Sequence, residues 1–187
     1  MTLAGSSDEN LVVGAAGGDQ ECWTRLYRLH QGRVYRFSLH MSGSHTIAEE
    51  ATQETFVTFL HQINRYSPAR GPVIAFLLGI ARYKVLRLLE QEPAHEELPA
   101  ANPGAAANPE DDLVRVFDHE QLRRAIVALP PVYREALVLC ELEGVGYAEA
   151  ALALGCPVGT IKSRISRAKQ LLAGRMAPAG ARKGSLA

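Results

Sequence analysis

The chain has 187 residues and equal numbers of acids and bases, 20 of each, but they are segregated: residues 91–121 hold one base and eight acids, and residues 122–187 hold ten bases and four acids. This length suits one medium domain or two small ones, and a basic C-terminal block beside an acidic one points to a polyanion partner and a segment kept off it. With no apolar run near 18 residues and no secretory leader pattern, the expectation is a cytoplasmic chain without membrane insertion, and Cys22, Cys140 and Cys156, far apart and lacking a C-x-x-C pair, read as ordinary thiols rather than a disulfide framework or metal site.

Residues 1–7 are expected to be disordered, and Asp8 to Ala16 can form a short helix stopped by Gly17 and Gly18. Asp19 is a good N-cap for a long helix in which Trp23, Leu26, Tyr27, His30, Val34, Phe37 and Met41 recur at helical spacing until Ser42 and Gly43. His30 on that stripe reads as a core histidine rather than a ligand. A third helix follows Ser44. Its inner face is Ile47, Ala48, Ala51, Thr55, Phe56, Phe59 and Ile63, which turns Glu49, Glu50, Gln53, Glu54 and Gln62 toward solvent or a partner.

Asn64 to Pro72 is a loop by its prolines and glycine, and its Tyr66, Arg65 and Arg70 suit stacking and backbone contact with unpaired nucleic acid. The fourth helix, Val73 to Glu90, buries Phe76, Leu77, Ile80, Ala81, Val85 and Leu88 and offers Arg82, Tyr83, Lys84 and Arg87 on its other side. Residues 91–112 contain four prolines and six alanines without periodicity, and read as a flexible acidic linker.

A helix is expected from Leu113 to Leu129, broken by Pro130-Pro131, and another from Val132 to Leu142 with Ala136, Leu137, Leu139 and Cys140 largely inward. The next stretch has the pattern of a helix-turn-helix. Gly146 can cap a short helix from Tyr147, with Glu149 reaching back in a partial capping box; Gly155 ends it, and Pro157 opens a second helix to Leu172. Val158, Ile161, Ile165, Ala168 and Leu172 make its buried stripe, while Lys162, Ser163, Arg164, Ser166, Arg167, Lys169 and Gln170 lie opposite. Cations and hydroxyls on such a helix suit phosphate contact and base-edge reading in a major groove. The tail 174–187 is expected to be disordered.

Taken in order, Leu129-Pro130, Arg134, Leu139, Gly144, Glu149, Ala151, Gly155, Gly159, Thr160, Lys162, Ser163, Arg164, Arg167 and Ala168 resemble region four of the extracytoplasmic-function group of bacterial sigma factors. Glu50, Gln53, Glu54 and Phe56 resemble the region-two helix that docks the polymerase β′ clamp in that family. Tyr66, Pro68, Arg70, Gly71, Phe76, Leu77, Ile80, Ala81 and Arg82 resemble its −10 loop and helix. Three departures stand out: Phe76 where the family usually has Trp, Tyr83 where it usually has Asn, and Arg87 where it often has Asp.

The resemblance implies an all-α chain of two small helical domains. Region two would span 8–90 and region four, with the helix-turn-helix, 113–173, joined by the flexible acidic linker. It implies binding of core RNA polymerase through the β′ clamp and β flap, with Glu50, Gln53 and Glu54 facing polymerase. Tyr66, Arg70, Arg82, Tyr83, Lys84 and Arg87 would meet the −10 element, and Thr160, Lys162, Ser163, Arg164, Arg167 and Lys169 the −35 element. It also implies an anti-sigma partner, no cofactor and no metal.

A stand-alone helix-turn-helix regulator acting on duplex DNA without polymerase is the alternative, although residues 1–90 resemble no ligand-sensing domain. Catalysis is not expected, because the chain has no P-loop, no metal-ligand spacing and no nucleophile set beside a base.

Overall fold

The computed structural model describes residues 5–91 and 120–176, and every regular element among them is helical. The order is α1 (Gly5–Ala16), α2 (Gln20–Ser42), α3 (His45–Gln62), two 3₁₀ turns (Ile63–Arg65 and Pro68–Arg70) and α4 (Val73–Gln91). After the break come α5 (helical over 120–127), α6 (Pro131–Leu137), a π-helical turn (Val138–Leu142), α7 (Tyr147–Leu154) and α8 (Val158–Met176).

Local chemistry sets these boundaries. Asp19 Oδ1 accepts from the Glu21 and Cys22 amides, at 2.8 and 3.2 Å, and Gly43 closes α2 with its amide on the Leu39 carbonyl. Ser44 caps α3 through the Ile47 amide. Leu26, Val34, Phe37 and Met41 of α2 are fully buried against Phe59 of α3 and Leu77, Leu78 and Val85 of α4. Trp23 stacks on Phe59, and Tyr27 meets Phe56 edge-on at 4.7 Å. Such aromatic pairs add about 0.5–1.5 kcal/mol each beyond their buried area.

Several boundaries differ from expectation. α1 starts at Gly5, so residues 5–7 are helical rather than disordered; Asp8 then stands in the first turn, where a carboxylate suits the helix dipole. α8 runs to Met176 rather than Leu172, taking in the first residues assigned to the tail, and Arg175 there donates to the Ala125 carbonyl. The expected helix to Leu142 widens into the π turn after Leu137. This turn accompanies the inward placement of Glu143, which is 5% exposed and accepts from Arg33 of α2. The first residues of the chain, most of the linker, the start of the helix expected from Leu113, and the tail beyond Met176 lie outside the described residues.

The C-terminal helices pack onto the N-terminal ones. Arg134 donates to the carbonyls of Met41 and Leu129, and Arg123 donates to the Gly43 carbonyl at 2.7 Å, so two arginines satisfy the end of α2. Arg33 also donates to the Glu143 backbone carbonyl. Arg82 of α4 pairs at 3.1 Å with Glu135 of α6, which is 3% exposed.

Candidate nucleic-acid interface

The turn between α7 and α8 begins at Gly155, whose φ of +61° is the left-handed cap expected from the sequence, with Cys156 donating its amide to the Ala151 carbonyl. Ile161, Ile165 and Ala168 of α8 are buried, which fixes the outward face. Lys162, Ser163, Arg167 and Lys169 are exposed on it, and Thr160 and Arg164 are half-buried.

The sequence places Arg164 on the outer face, but its Nη1 lies 3.8 Å from Cys156 Sγ, turned back toward the interhelical turn. Lys169 is held by Glu141 at 2.7 Å, and that bond raises its pKa. Lys162 and Arg167 make no ion pair among the described residues.

The three cysteines are free and half-buried. Burial, with Glu141 and Glu149 nearby, pushes the Cys140 thiol up to about 11, so it is a poor nucleophile near neutral pH.

The second basic surface is built from the 3₁₀ turns and α4. Tyr66 packs edge-on against Phe76, which in turn meets Phe59, and the Tyr66 hydroxyl donates to the Gly71 carbonyl at 3.2 Å. Phe76 therefore joins the loop to the core. Gly71 has φ +128°, and a Cβ there would lie 2.9 Å from Glu149 Cγ, so only glycine lets α7 approach the loop so closely. Arg70 is exposed and lines, with Tyr66, Phe76 and Ile80, a cleft of about 470 Å³ closed on its other side by Glu149 and Leu152.

On α4, Tyr83 is 64% exposed, but each of the three cations has a carboxylate partner. Arg82 pairs with Glu135, while Lys84 and Arg87 share Glu54, at 3.1 and 2.7 Å. The sequence groups Glu54 with Glu50 and Gln53 on an outward face. Glu50 and Gln53 do stand exposed, whereas Glu54 is half-buried and turned to α4.

Exposed Val57 and Leu60 continue the outward stripe of Glu50 and Gln53 at spacings of four and three. Their apolar side chains hide them in the sequence, where exposed positions read as polar. Glu135 and Glu143 are buried acids beside the inward run that starts at Ala136, and packing alone distinguishes them from the exposed Glu141.

A model described as Sigma-70 region 2 matches residues 26–93, and one described as Sigma-70, region 4 matches residues 119–172. The SigC ECF RNA polymerase sigma factor of Mycobacterium tuberculosis is 34% identical over 178 residues, covering 92% of this chain and 94% of its own. The chain belongs to the ECF RNA polymerase sigma factors.

SigE of Mycolicibacterium smegmatis, another ECF sigma factor, is 35% identical over 178 residues, covering 89% of this chain and 68% of its own. Among solved structures, CnrH in complex with the cytosolic domain of CnrY has a TM-score of 0.70 at 24% identity, covering 90% of this chain and 96% of that one. The sigma factor RpoE in complex with the anti-sigma factor NepR, from Bartonella quintana, has a TM-score of 0.66 at 23% identity, covering 81% and 94%. At these identities the likeness is one of fold, and it extends across both halves of this sigma factor. Among the described residues no helix is long and apolar enough to cross a membrane.

Proposed function

We propose that this sigma factor binds core RNA polymerase and carries it to promoters, acting in the cytoplasm by binding alone, without a metal, a cofactor or a catalytic step of its own. In this reading α8 enters the major groove of the −35 duplex with Lys162, Ser163 and Arg167 foremost and Thr160, Arg164 and Lys169 beside them. The loop and α4, through Tyr66, Arg70, Arg82, Tyr83, Lys84 and Arg87, meet the opened −10 strand. The outward stripe of α3, Glu50 and Gln53 with Val57 and Leu60, meets polymerase. The domain limits, 8–90 and 113–173, and the role of the acids at Glu92, Glu96, Glu97, Glu110, Asp111 and Asp112 in placing one domain relative to the other belong to the same proposal. So does an anti-sigma protein as inhibitor.

The observation that carries it is the basic, exposed face of α8, held by a glycine turn against α7 in the geometry of a reading helix. The experiment is transcription in vitro on a promoter library with purified core polymerase. Sequence-dependent transcripts that need both proteins are expected, and their absence with a folded protein would overturn the proposal.

A further inference from the structure

The C-terminal end of α2 is where the two halves of the chain are joined. Arg134 of α6 donates to the Met41 carbonyl, Arg123 of α5 donates to the Gly43 carbonyl at 2.7 Å, and Arg33 of α2 reaches Glu143 beyond the π turn. Val127 of α5 lies against Gly43, where a Cβ would come within 3.2 Å of its methyls. His40 sits in the last turn of α2, four residues after Arg36 and seven after Arg33. Its Nδ1 is buried without a hydrogen-bond partner, and Arg36 and Arg123 bear on it from α2 and α5. The acids of this seam are already engaged. Glu120 is shared by Arg123 and Arg124, Glu143 by Arg33 and Arg36, and Glu135 is held by Arg82. His45, at the start of α3, is bonded to the Tyr35 hydroxyl. A helix end ordinarily favours a nearby cation, but this one already has two arginines on its carbonyls.

Like charges repel, and the more so where water is partly excluded. A proton on His40 would therefore meet two guanidinium groups and no spare carboxylate. We propose that this seam is an acid-sensitive joint: a proton on His40 drives α5 and α6 away from the end of α2, and the two halves part while each keeps its helices. Each half has buried residues of its own to hold it, Leu26, Phe37 and Phe59 in one and Leu139, Ile161 and Ile165 in the other. The seam also fixes how α8 stands to α4, so the joint governs the spacing of the two basic surfaces. Burial lowers the pKa of His40 in the joined form, and Arg123 and Arg36 add to the shift. Joining the halves therefore expels a proton, and the joined form weakens as pH falls below about 6.5. Glu143 opposes this, because burial raises its pKa against Arg36 and Arg33, so variants of His40 are needed to isolate the histidine's part.

The test uses the full-length free protein at constant ionic strength, with X-ray scattering for its radius of gyration and far-UV circular dichroism for its helices. Between pH 7.5 and 5.5 the radius should grow by several ångströms with helix content unchanged. The ratio of joined to parted forms should fall by up to about tenfold per pH unit, the limit for one linked proton. His40→Gln should stay compact across the range, and His40→Lys, a fixed cation, should be parted already at pH 7.5. His30→Gln, which removes the histidine paired with Asp8 of α1, should part as the wild type does. A wild type that stays compact at pH 5.5, or a His40→Gln variant that expands as much as the wild type, would overturn the proposal. Expansion accompanied by loss of helix would overturn it as well, since the halves would then be unfolding rather than parting.

Discussion

The two basic surfaces of this sigma factor are built on opposite terms. On α8, Lys162 and Arg167 face solvent without a carboxylate among the described residues, and Lys169 has one only at the rim. On α4, Arg82, Lys84 and Arg87 are all held by carboxylates from other helices. The first surface is ready for a phosphate chain. On the second, a phosphate would compete with carboxylates already in place. Because the partner of Arg82 belongs to α6, this ion pair ties α4 to the C-terminal half of the molecule.

The largest effect that sharpens this contrast is on stability. Arg82→Ala leaves Glu135, 3% exposed, without its ion-pair partner. Breaking a fully buried pair costs about 3–5 kcal/mol; with the Arg82 side chain 30% exposed, about 2–3 kcal/mol is expected, read by chemical denaturation. Lys162→Ala should do the reverse: unchanged stability, but a loss of about 1–3 kcal/mol in −35-dependent promoter binding if its contact is to a base edge. An equal stability loss in both variants would break the contrast.

A smaller effect separates the cations within α8. Arg167→Ala should weaken binding to all duplex sequences and lower the salt slope by about 0.9. Lys169→Ala should lower it less, since its ammonium is already occupied by Glu141.

The smallest effect distinguishes the halves by pH. Burial lowers the pKa of His30 and His40, both on α2; Asp8 opposes the shift at His30 and Arg33 adds to it, while Arg123 and Arg36 add to that at His40. A histidine with a lowered native pKa binds fewer protons folded than unfolded, so stability falls as pH drops below about 6.5. Glu143 works the other way, because burial raises its pKa against the pull of Arg36 and Arg33, and protonation then favours the folded form. Thermal melts from pH 7.5 to 5.5 should show lower stability in acid, a smaller loss in His40→Gln and a larger one in Glu143→Gln.

Much of this was legible in the sequence. The apolar spacing of α2, α3 and α4, the Asp19 and Ser44 caps, and the Gly155 turn rest on local periodicity and cap chemistry, and local signals survive in a single chain. The pairing of charges did not, because Glu54 with Arg87 and Arg33 with Glu143 are juxtaposed by packing across 33 and 110 residues. Arg164 differs for a local reason: its helical position faces outward, but its long side chain can bend back over the turn to Cys156, which spacing alone does not show. The π turn was hidden too, since nothing in the run from Val138 to Leu142 departs from ordinary helix composition.

The most direct test is fluorescence anisotropy of a labelled promoter fragment carrying both elements, with and without saturating core polymerase. The account predicts that the free protein binds weakly and without regard to the −10 sequence, and that the polymerase-bound protein binds tightly and depends on both elements. Tight, sequence-specific binding of duplex DNA by the free protein, unchanged on adding polymerase, would contradict it.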